Sequence, residues 1–172
     1  MIYFLDTAYL KSGNEKQIKA YRVLTENDII EKLAKYNPIL VGTIPINIDI
    51  KNSDLDIICY VQDMKNFRND LAHHFNQEKD FVISENAKLH SLKANFFIDE
   101  FEIEIFGQSI PTENQNAYRH MLIEYQILLK KGEGFRQQII ELKNQGYKTE
   151  PAFAKLLGLD GNPYEELLKL VL

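Results

Sequence analysis

The sequence has one cysteine, no long apolar run and no excess of basic residues, and each absence excludes a class of protein. Cys59 alone provides neither a disulfide framework nor a zinc cluster, so we expect a protein of the reducing cytoplasm. No apolar stretch approaches the roughly 18–20 residues that cross a bilayer. The segment MIYFLDTAYLK has a short apolar part and no basic lead-in, so we expect neither a secretory signal nor a membrane partner.

Acidic side chains outnumber basic ones, with 25 Asp and Glu against 20 Lys and Arg and a formal net charge of −5. Because an extended nucleic-acid interface needs a basic surface, we expect no extended nucleic acid as a partner. A few local Lys and Arg side chains can still hold a small anion. We therefore expect the partners to be small molecules or a protein.

The order of sequence patterns indicates one compact α+β unit. The chain has 172 residues, of which 45% are hydrophobic and 26% charged, which suits a sizeable core. Helical patterns come first, strand patterns and one helix occupy residues 39–108, and helical patterns return from residue 111. No Gly/Ser/Pro-rich spacer marks a linker. We expect a small mixed sheet flanked by helices, with an α/β core at 1–110 and a helical cap at 111–172.

Three helix starts are predicted from capping residues. Thr25 is expected to cap a helix over TENDIIEKLAKYN. Thr112 and Gln115 are expected to form a capping box before AYRHMLIEYQILLKK. Asn162 followed by Pro163 predicts the start of the last helix.

The stretch SDLDIICYV places two aspartates in what is otherwise a buried strand. Residues two apart in a strand point to one face at roughly 6.5–7 Å, so Asp54 and Asp56 face the same way. Two carboxylates that close repel by roughly 2–3 kcal/mol at an effective dielectric constant near 20. Mg²⁺ (or Mn²⁺) removes this repulsion and prefers carboxylate oxygens. The pair therefore indicates a metal site of the kind that serves phosphoryl transfer.

A third carboxylate is expected from the strand FEIEIFG, with Glu104 as the first candidate and Glu102 as the second. Both side chains fall on one face of that strand. The alternative is an antiparallel strand with one solvated face, which shows the same alternation. Asp-x-Asp likewise occurs by chance at turns and strand ends.

Gly42 and Thr43 end the apolar run PILV and suit a phosphate. A glycine lets the backbone approach a phosphate closely, and the next hydroxyl and amides can donate to its oxygens. We expect this pair to bind the phosphates of a nucleotide beside the metal site.

These motifs together resemble the signature of the minimal nucleotidyltransferase (DNA polymerase beta-like) superfamily, in which a small-residue pair precedes Asp-hydrophobic-Asp-hydrophobic after a spacer. The chain most resembles an uncharacterised bacterial branch known as a domain of unknown function. The matching segments are GTIPI with SDLDIICYV, EIFGQ with QNAYRHM, and KTEPAFAKLLGL with PYEELL. The resemblance implies a mixed sheet of three to five strands, a nucleoside triphosphate and Mg²⁺ as ligands, and nucleotidyl transfer.

The resemblance also implies roles for individual residues. Asp54 and Asp56 take the first two metal-ligand positions and Glu104 the third, and these three are the expected catalytic residues. Gly42 and Thr43 take the phosphate-binding positions.

The spacer departs from the family pattern. Ile46 and Asn47 stand where active members often carry Arg-Gly, so Lys51 is expected to compensate by contacting the triphosphate. Arg119, on the helix after the third carboxylate, can grip phosphate in two places, and Lys148 precedes a helix start, which can meet an anion. The alternatives are an outward-facing Arg119 on an amphipathic helix and a solvated loop lysine.

Two functions of different classes follow. The first is a metal-dependent nucleotidyltransferase that moves a nucleoside monophosphate to a small-molecule or protein acceptor. The second is a catalytically inactive nucleotide-binding or protein-interaction module of the same fold, which the missing Arg-Gly favours. A third alternative is a toxin–antitoxin component that modifies a partner protein with nucleotide.

Overall fold

A computed structural model describes residues 2–170 and shows an α+β fold, as predicted, with a five-stranded mixed sheet flanked by helices. The strands are β1 (Ile39–Val41), β2 (Leu55–Tyr60), β3 (Lys79–Asn86), β4 (Ser91–Ile98) and β5 (Phe101–Gln108). The α-helices are α1 (Glu15–Glu26), α2 (Ile29–Lys32), α3 (Met64–Phe75), α4 (Asn116–Lys131), α5 (Glu133–Asn144), α6 (Thr149–Leu157) and α7 (Pro163–Leu168). Within the described residues, no helix is long and apolar enough to cross a membrane.

The sheet order is β1-β2-β5-β4-β3, in which β2 and β5 run parallel and the other neighbours antiparallel. In the parallel pair, Asp56 lies opposite Glu104. On the other side of β5, Glu104 lies opposite Asn95 of β4. Because directly opposed residues share a face of the sheet, these three polar side chains point the same way.

The two faces of the sheet pack against different helices. One face packs Ile57, Cys59 and Ile105 against the first helices, including Leu24 of α1 and Phe67 of α3. The opposite face carries Asp56 and Glu104, and its apolar core residues lie on β1, β2 and, through Phe106, β5. There it packs against the helices of the C-terminal third through one shared core, whose members include Val41, Ile58, Met121, Ile139 and Phe153. This core joins residues on both sides of position 110, and the division into 1–110 and 111–172 stays a prediction.

The loop between β1 and β2 is part of the core. Ile44, Ile46 and Ile48 are at most 2% exposed, which explains the apolar alternation of the spacer. Side chains from α1 and α5 bind the loop carbonyls: Gln17 to Ile44 at 2.8 Å, Arg136 to Ile46 at 2.6 Å and Lys143 to Ile48 at 2.8 Å. These contacts satisfy buried carbonyls and fix the loop that leads to Asp54.

Two of the three predicted helix starts are wrong. Thr25 lies inside α1, and its hydroxyl donates to the Tyr21 carbonyl at 2.8 Å instead of capping a new helix. Thr112 lies in a 3₁₀ turn, and α4 begins at Asn116 without a side-chain cap. The Gln115 amide donates to the carbonyls of Cys59 at 3.0 Å and Ile110 at 2.8 Å, so it ties the turn to β2.

The third helix start is confirmed. The Asn162 side chain accepts a hydrogen bond from the Tyr164 amide at 3.2 Å, and Pro163 is the first residue of α7. Proline suits this position because the first amide of a helix has no intrahelical partner.

Candidate active site

A cavity of about 640 Å³ opens where the sheet meets the C-terminal helices. Its sheet wall is formed by the ends of β1 and β2, the loop between them and β5. Its helix wall is formed by α4, α5 and the start of α6. The polar residues of the sheet wall include Gly42, Thr43, Ser53, Asp54, Asp56 and Glu104, and those of the helix wall include His120, Glu124, Lys143, Lys148, Thr149 and Glu150.

The structure brings the three predicted carboxylates to this cavity. Asp54 directly precedes β2, Asp56 is the second residue of β2, and Glu104 is the register partner of Asp56 on β5. Burial, together with the charges of Asp54 and Glu104, raises the pKa of Asp56 to about 7. Burial is the main cause of this shift, and the charges of Asp54 and Glu104 add the repulsion that the sequence predicts.

Glu104 is already partnered within the sheet. The Lys93 ammonium of β4 lies 2.9 Å from Glu104 Oε2, and this hydrogen bond is the main cause that raises the pKa of Lys93 above its ordinary value. The Asn95 amide donates to Glu102 Oε1 at 3.0 Å and to Glu104 Oε2 at 3.4 Å. Glu102 does not line the cavity, so Glu104 is the better placed of the two candidates.

The donor set suits a divalent cation, although it is not preassembled. Across residues 2–170, no group of three or more His, Cys, Asp or Glu side chains has the arrangement of a metal site. Lys93 forms an ion pair with Glu104, the carboxylate that would be the third ligand. Carboxylate oxygens are the ligands that Mg²⁺ prefers, and a cation beside Asp56 would offset both the burial that mainly raises the pKa of Asp56 and the repulsion that adds to it. The residues present therefore fit such an ion once Glu104 is shared with Lys93 or released by it.

Position 42 requires a glycine because the backbone there passes close to the Asp56 side chain. Its φ is +85°, and a Cβ at this position would collide with Oδ2 of Asp56. The glycine thus lets the end of β1 pass directly over the carboxylate. Thr43 follows and donates from Oγ1 to Ser53 Oγ at 3.2 Å, which places two hydroxyls at the cavity.

One of the three predicted basic contacts lies at the cavity. Lys148 lines it and directly precedes α6. Lys51 is exposed and does not line it. Arg119 is also exposed and outside the lining, and it donates to Asn116 at 3.3 Å, while the neighbouring Tyr118 is buried. Arg119 therefore faces outward from an amphipathic helix, which is the alternative to its contact with phosphate.

The helix wall contains ionisable residues that the sequence analysis did not identify. Glu124 is 4% exposed, its Oε1 has no hydrogen-bond partner, and burial raises its pKa to about 8. Lys143 is buried as well, and burial lowers its pKa to about 8. His120 donates from Nε2 to the Tyr164 carbonyl at 2.8 Å, and its Nδ1 lies 3.7 Å from Glu150 Oε1.

A signal for two of these residues exists in the sequence. Glu124 lies three residues after Met121 and four before Leu128, on the buried stripe of α4. Lys143 lies four residues after Ile139, on the buried stripe of α5. A charged residue in an apolar stripe with helical spacing is a buried charge, and buried charges cluster at functional sites.

Comparison with protein families gives one match. The family described as "Domain of unknown function (DUF4269)" matches residues 22–170. A search of the curated proteins found no match.

Comparison with solved structures identifies proteins that share this fold. The chain is similar to Cid1, whose study concerns RNA terminal uridylyl transferase activity (TM-score 0.55, 14% identity, covering 80% of this chain and 45% of that one). It is similar to the Cid1 poly(U) polymerase with Mg 3′-dATP bound, with a TM-score of 0.57 and 15% identity, over 94% of this chain and 52% of that one. It is also similar to the GLD-2/RNP-8 complex, with a TM-score of 0.55 and 15% identity, over 88% of this chain and 63% of that one. The chain thus spans 45–63% of these nucleotidyltransferase structures, and identities this low show a shared polymerase-beta-like fold alone.

Proposed function

The chain belongs to the DUF4269 family and has the nucleotidyltransferase fold, and on this basis we propose that it is a metal-dependent nucleotidyltransferase. It would move a nucleoside monophosphate from a nucleoside triphosphate to an acceptor. The observation that carries the proposal is the meeting of Asp54, Asp56 and Glu104 at one cavity, from two adjacent parallel strands.

Each carboxylate has a role in this reaction. Asp54 and Asp56 would hold Mg²⁺ or Mn²⁺, with Glu104 as the third ligand. A divalent cation there supplies Lewis-acid stabilisation of the charge on the phosphoryl oxygens. The acceptor oxygen forms a bond to the α-phosphorus, the bond from that phosphorus to the bridging oxygen breaks, and pyrophosphate leaves. Glu104, as general base, would accept the proton that the acceptor hydroxyl loses.

The triphosphate would lie between the sheet wall and the start of α6. Thr43 offers a hydroxyl and its backbone amide, Gly42 permits a close approach, and Lys148 offers an ammonium. Lys51 and Arg119 lie outside the cavity lining, so they would contact only a ligand that extends beyond it.

The acceptor class is a small molecule, a protein or RNA. The structurally similar proteins include an RNA terminal uridylyl transferase and a poly(U) polymerase. The expectation that no extended nucleic acid binds rests on net charge alone, and the comparisons do not support it. RNA therefore belongs among the acceptors to be tested. The cytoplasm stays the expected compartment, on the basis of the lone Cys59, which is buried and unpaired.

The inactive module of the same fold is the second candidate, and one residue favours it. Ile46 stands at a position where active relatives are expected to carry arginine, and its side chain is 2% exposed in the core. It cannot reach a ligand. This candidate predicts that a triphosphate raises the melting temperature without turnover.

Transfer of label from α-labelled nucleoside triphosphates, with release of pyrophosphate, tests the proposal. The reactions contain Mg²⁺ and, in separate arms, an RNA oligonucleotide, a protein extract and a small-molecule extract. We expect transfer by the wild type and its loss in Asp54→Asn. Asp160→Asn, which changes an exposed aspartate outside the cavity, is the matched control. Equal transfer by Asp54→Asn and the wild type would refute the assignment.

A further inference from the structure

Glu124 is a buried acidic side chain whose hydrogen-bonding capacity is unused. It lies on the buried stripe of α4, lines the cavity and is 4% exposed. Its Oε1 is inaccessible to solvent and has no hydrogen-bond partner. Buried polar atoms in native proteins are nearly always paired, so an unpaired carboxyl oxygen at a cavity wall indicates a missing donor.

The groups that face Glu124 do not supply that donor. From α5, the Lys143 ammonium donates to the Ile48 carbonyl at 2.8 Å, and it forms no ion pair with Glu124 in the described part of the chain. Burial is the main cause that raises the pKa of Glu124 to about 8; the like charge of Glu150 on α6 adds to this rise, and the charge of Lys143 opposes it. His120 lies beside Glu150, with 3.7 Å between Nδ1 and Oε1. Glu124 thus has Glu150 as a neighbouring acid and Lys143 as a neighbouring cation, but within the described residues no cation forms an ion pair with it.

We propose that Glu124, assisted by Glu150, binds the ammonium group of a small primary amine, and that this amine is the acceptor of the proposed transfer. An ammonium brings N–H donors to the Glu124 carboxyl, which must turn Oε1 into the cavity to accept them, and it brings the positive charge that two neighbouring acids favour. A neutral hydroxyl would supply a donor only. The role of the amine as acceptor rests on the proposed function, whereas the binding of the amine at Glu124 does not.

The position of Glu124 fits this role. It faces the same cavity as Asp54 and Asp56, from the opposite wall. A cavity of about 640 Å³ has the size of a small-molecule site. An amine held at Glu124 would therefore direct its other end, with a hydroxyl as nucleophile, towards the aspartates of the sheet wall.

Calorimetric titration with ethanolamine tests the amine site directly. Ethylene glycol, which has a hydroxyl in place of the amine, is the matched probe. The titrations contain neither nucleotide nor metal, and they are run at pH 7 in phosphate and in MOPS, whose different ionisation enthalpies reveal proton exchange. We expect saturable binding of ethanolamine, at least tenfold weaker binding of ethylene glycol, and release of close to one proton as Glu124 ionises.

Variants make the result specific. Glu124→Gln should weaken ethanolamine binding at least tenfold and abolish the proton release, and Glu150→Gln should weaken binding less. Glu141→Gln, at an exposed position of α5, should bind like the wild type. A thermal melt checks that each variant is folded. If Glu124→Gln does not fold, Glu150→Gln still tests the site.

Three results would overturn the proposal. These are no saturable binding of ethanolamine to the wild type, equal binding of the two probes, or unchanged amine binding in folded Glu124→Gln. Because nucleotide and metal are absent, failure here is distinct from failure of the transfer assay. Amine binding without transfer would leave the site standing and remove only its role as acceptor site.

Discussion

Lys93 of β4 binds Glu104 of β5 at 2.9 Å, on the same carboxylate whose register partner on β2 is Asp56. A positive charge of the chain itself thus lies within the acidic cluster. A divalent cation at Asp54 and Asp56 must share Glu104 with this ammonium or displace it. Lys93 is therefore expected to lower the affinity of the site for metal.

Removing this ammonium should tighten metal binding. In Lys93→Met, Glu104 loses its cation and the site becomes more negative, so we expect Mn²⁺ to bind roughly 3- to 10-fold more tightly, a modest effect because Lys93 is partly exposed. Titration calorimetry with Mn²⁺ measures it. Lys65→Met, at an exposed position on α3, is the control. An unchanged Mn²⁺ affinity in Lys93→Met would show that the Lys93 contact does not oppose metal.

Alanine at Gly42 should destabilise the fold and disturb Asp56. The new Cβ would adopt an unfavourable positive φ and collide with the Asp56 carboxylate. We expect Gly42→Ala to lower the free energy of unfolding by roughly 1–3 kcal/mol, measured by urea denaturation. Gly134→Ala is the matched control, because a Cβ at this position in the first turn of α5 would point into open space and its φ is not positive. Equal stability of Gly42→Ala and the wild type would contradict the contact.

Glu124 should make stability depend on pH. Its pKa rises from 4.5 in the unfolded chain to about 8 in the folded protein, so the folded state binds this proton more tightly. Its contribution to stability is therefore most favourable below about pH 4.5, declines as pH rises to about 8 and is constant above that.

The variant Glu124→Gln isolates this effect. We expect the melting temperature of the wild type minus that of Glu124→Gln to fall by several degrees between pH 5 and pH 8, measured by differential scanning fluorimetry. Lys143 does not mimic this trend, because its lowered pKa of about 8 makes stability rise with pH between about 8 and 10.5. A difference that stays constant from pH 5 to pH 8 would show that Glu124 titrates normally.

Strand periodicity predicts which way the acidic residues face, but not which strands are neighbours. Asp54 and Asp56 follow from spacing alone, since the side chains of a strand alternate. Glu102 and Glu104 share a face, so spacing cannot separate them. The choice comes from the parallel register of β2 and β5, which sets Glu104 beside Asp56. That register depends on the whole topology between the two strands.

Local capping rules fail where tertiary contacts decide the helix start. Thr25 has the side chain of a cap but lies within α1, whose buried face continues through Val23 and Leu24. Gln115 has the side chain of a capping box, and its amide instead bonds two backbone carbonyls, one of them on β2. Lys143 donates to the Ile48 carbonyl, which lies 95 residues earlier in the sequence, and no pattern of neighbouring residues predicts such a contact.

The central claim is that Asp54, Asp56 and Glu104 form one cation-dependent triphosphate site. Its most direct test is calorimetric titration of a non-hydrolysable triphosphate analogue, with and without Mn²⁺, into the wild type and into Asp54→Asn, Asp56→Asn and Glu104→Gln. We predict that the wild type binds the analogue only with Mn²⁺ and that each variant loses at least tenfold in affinity. Binding that is independent of Mn²⁺, or equal in all three folded variants and the wild type, would contradict the claim.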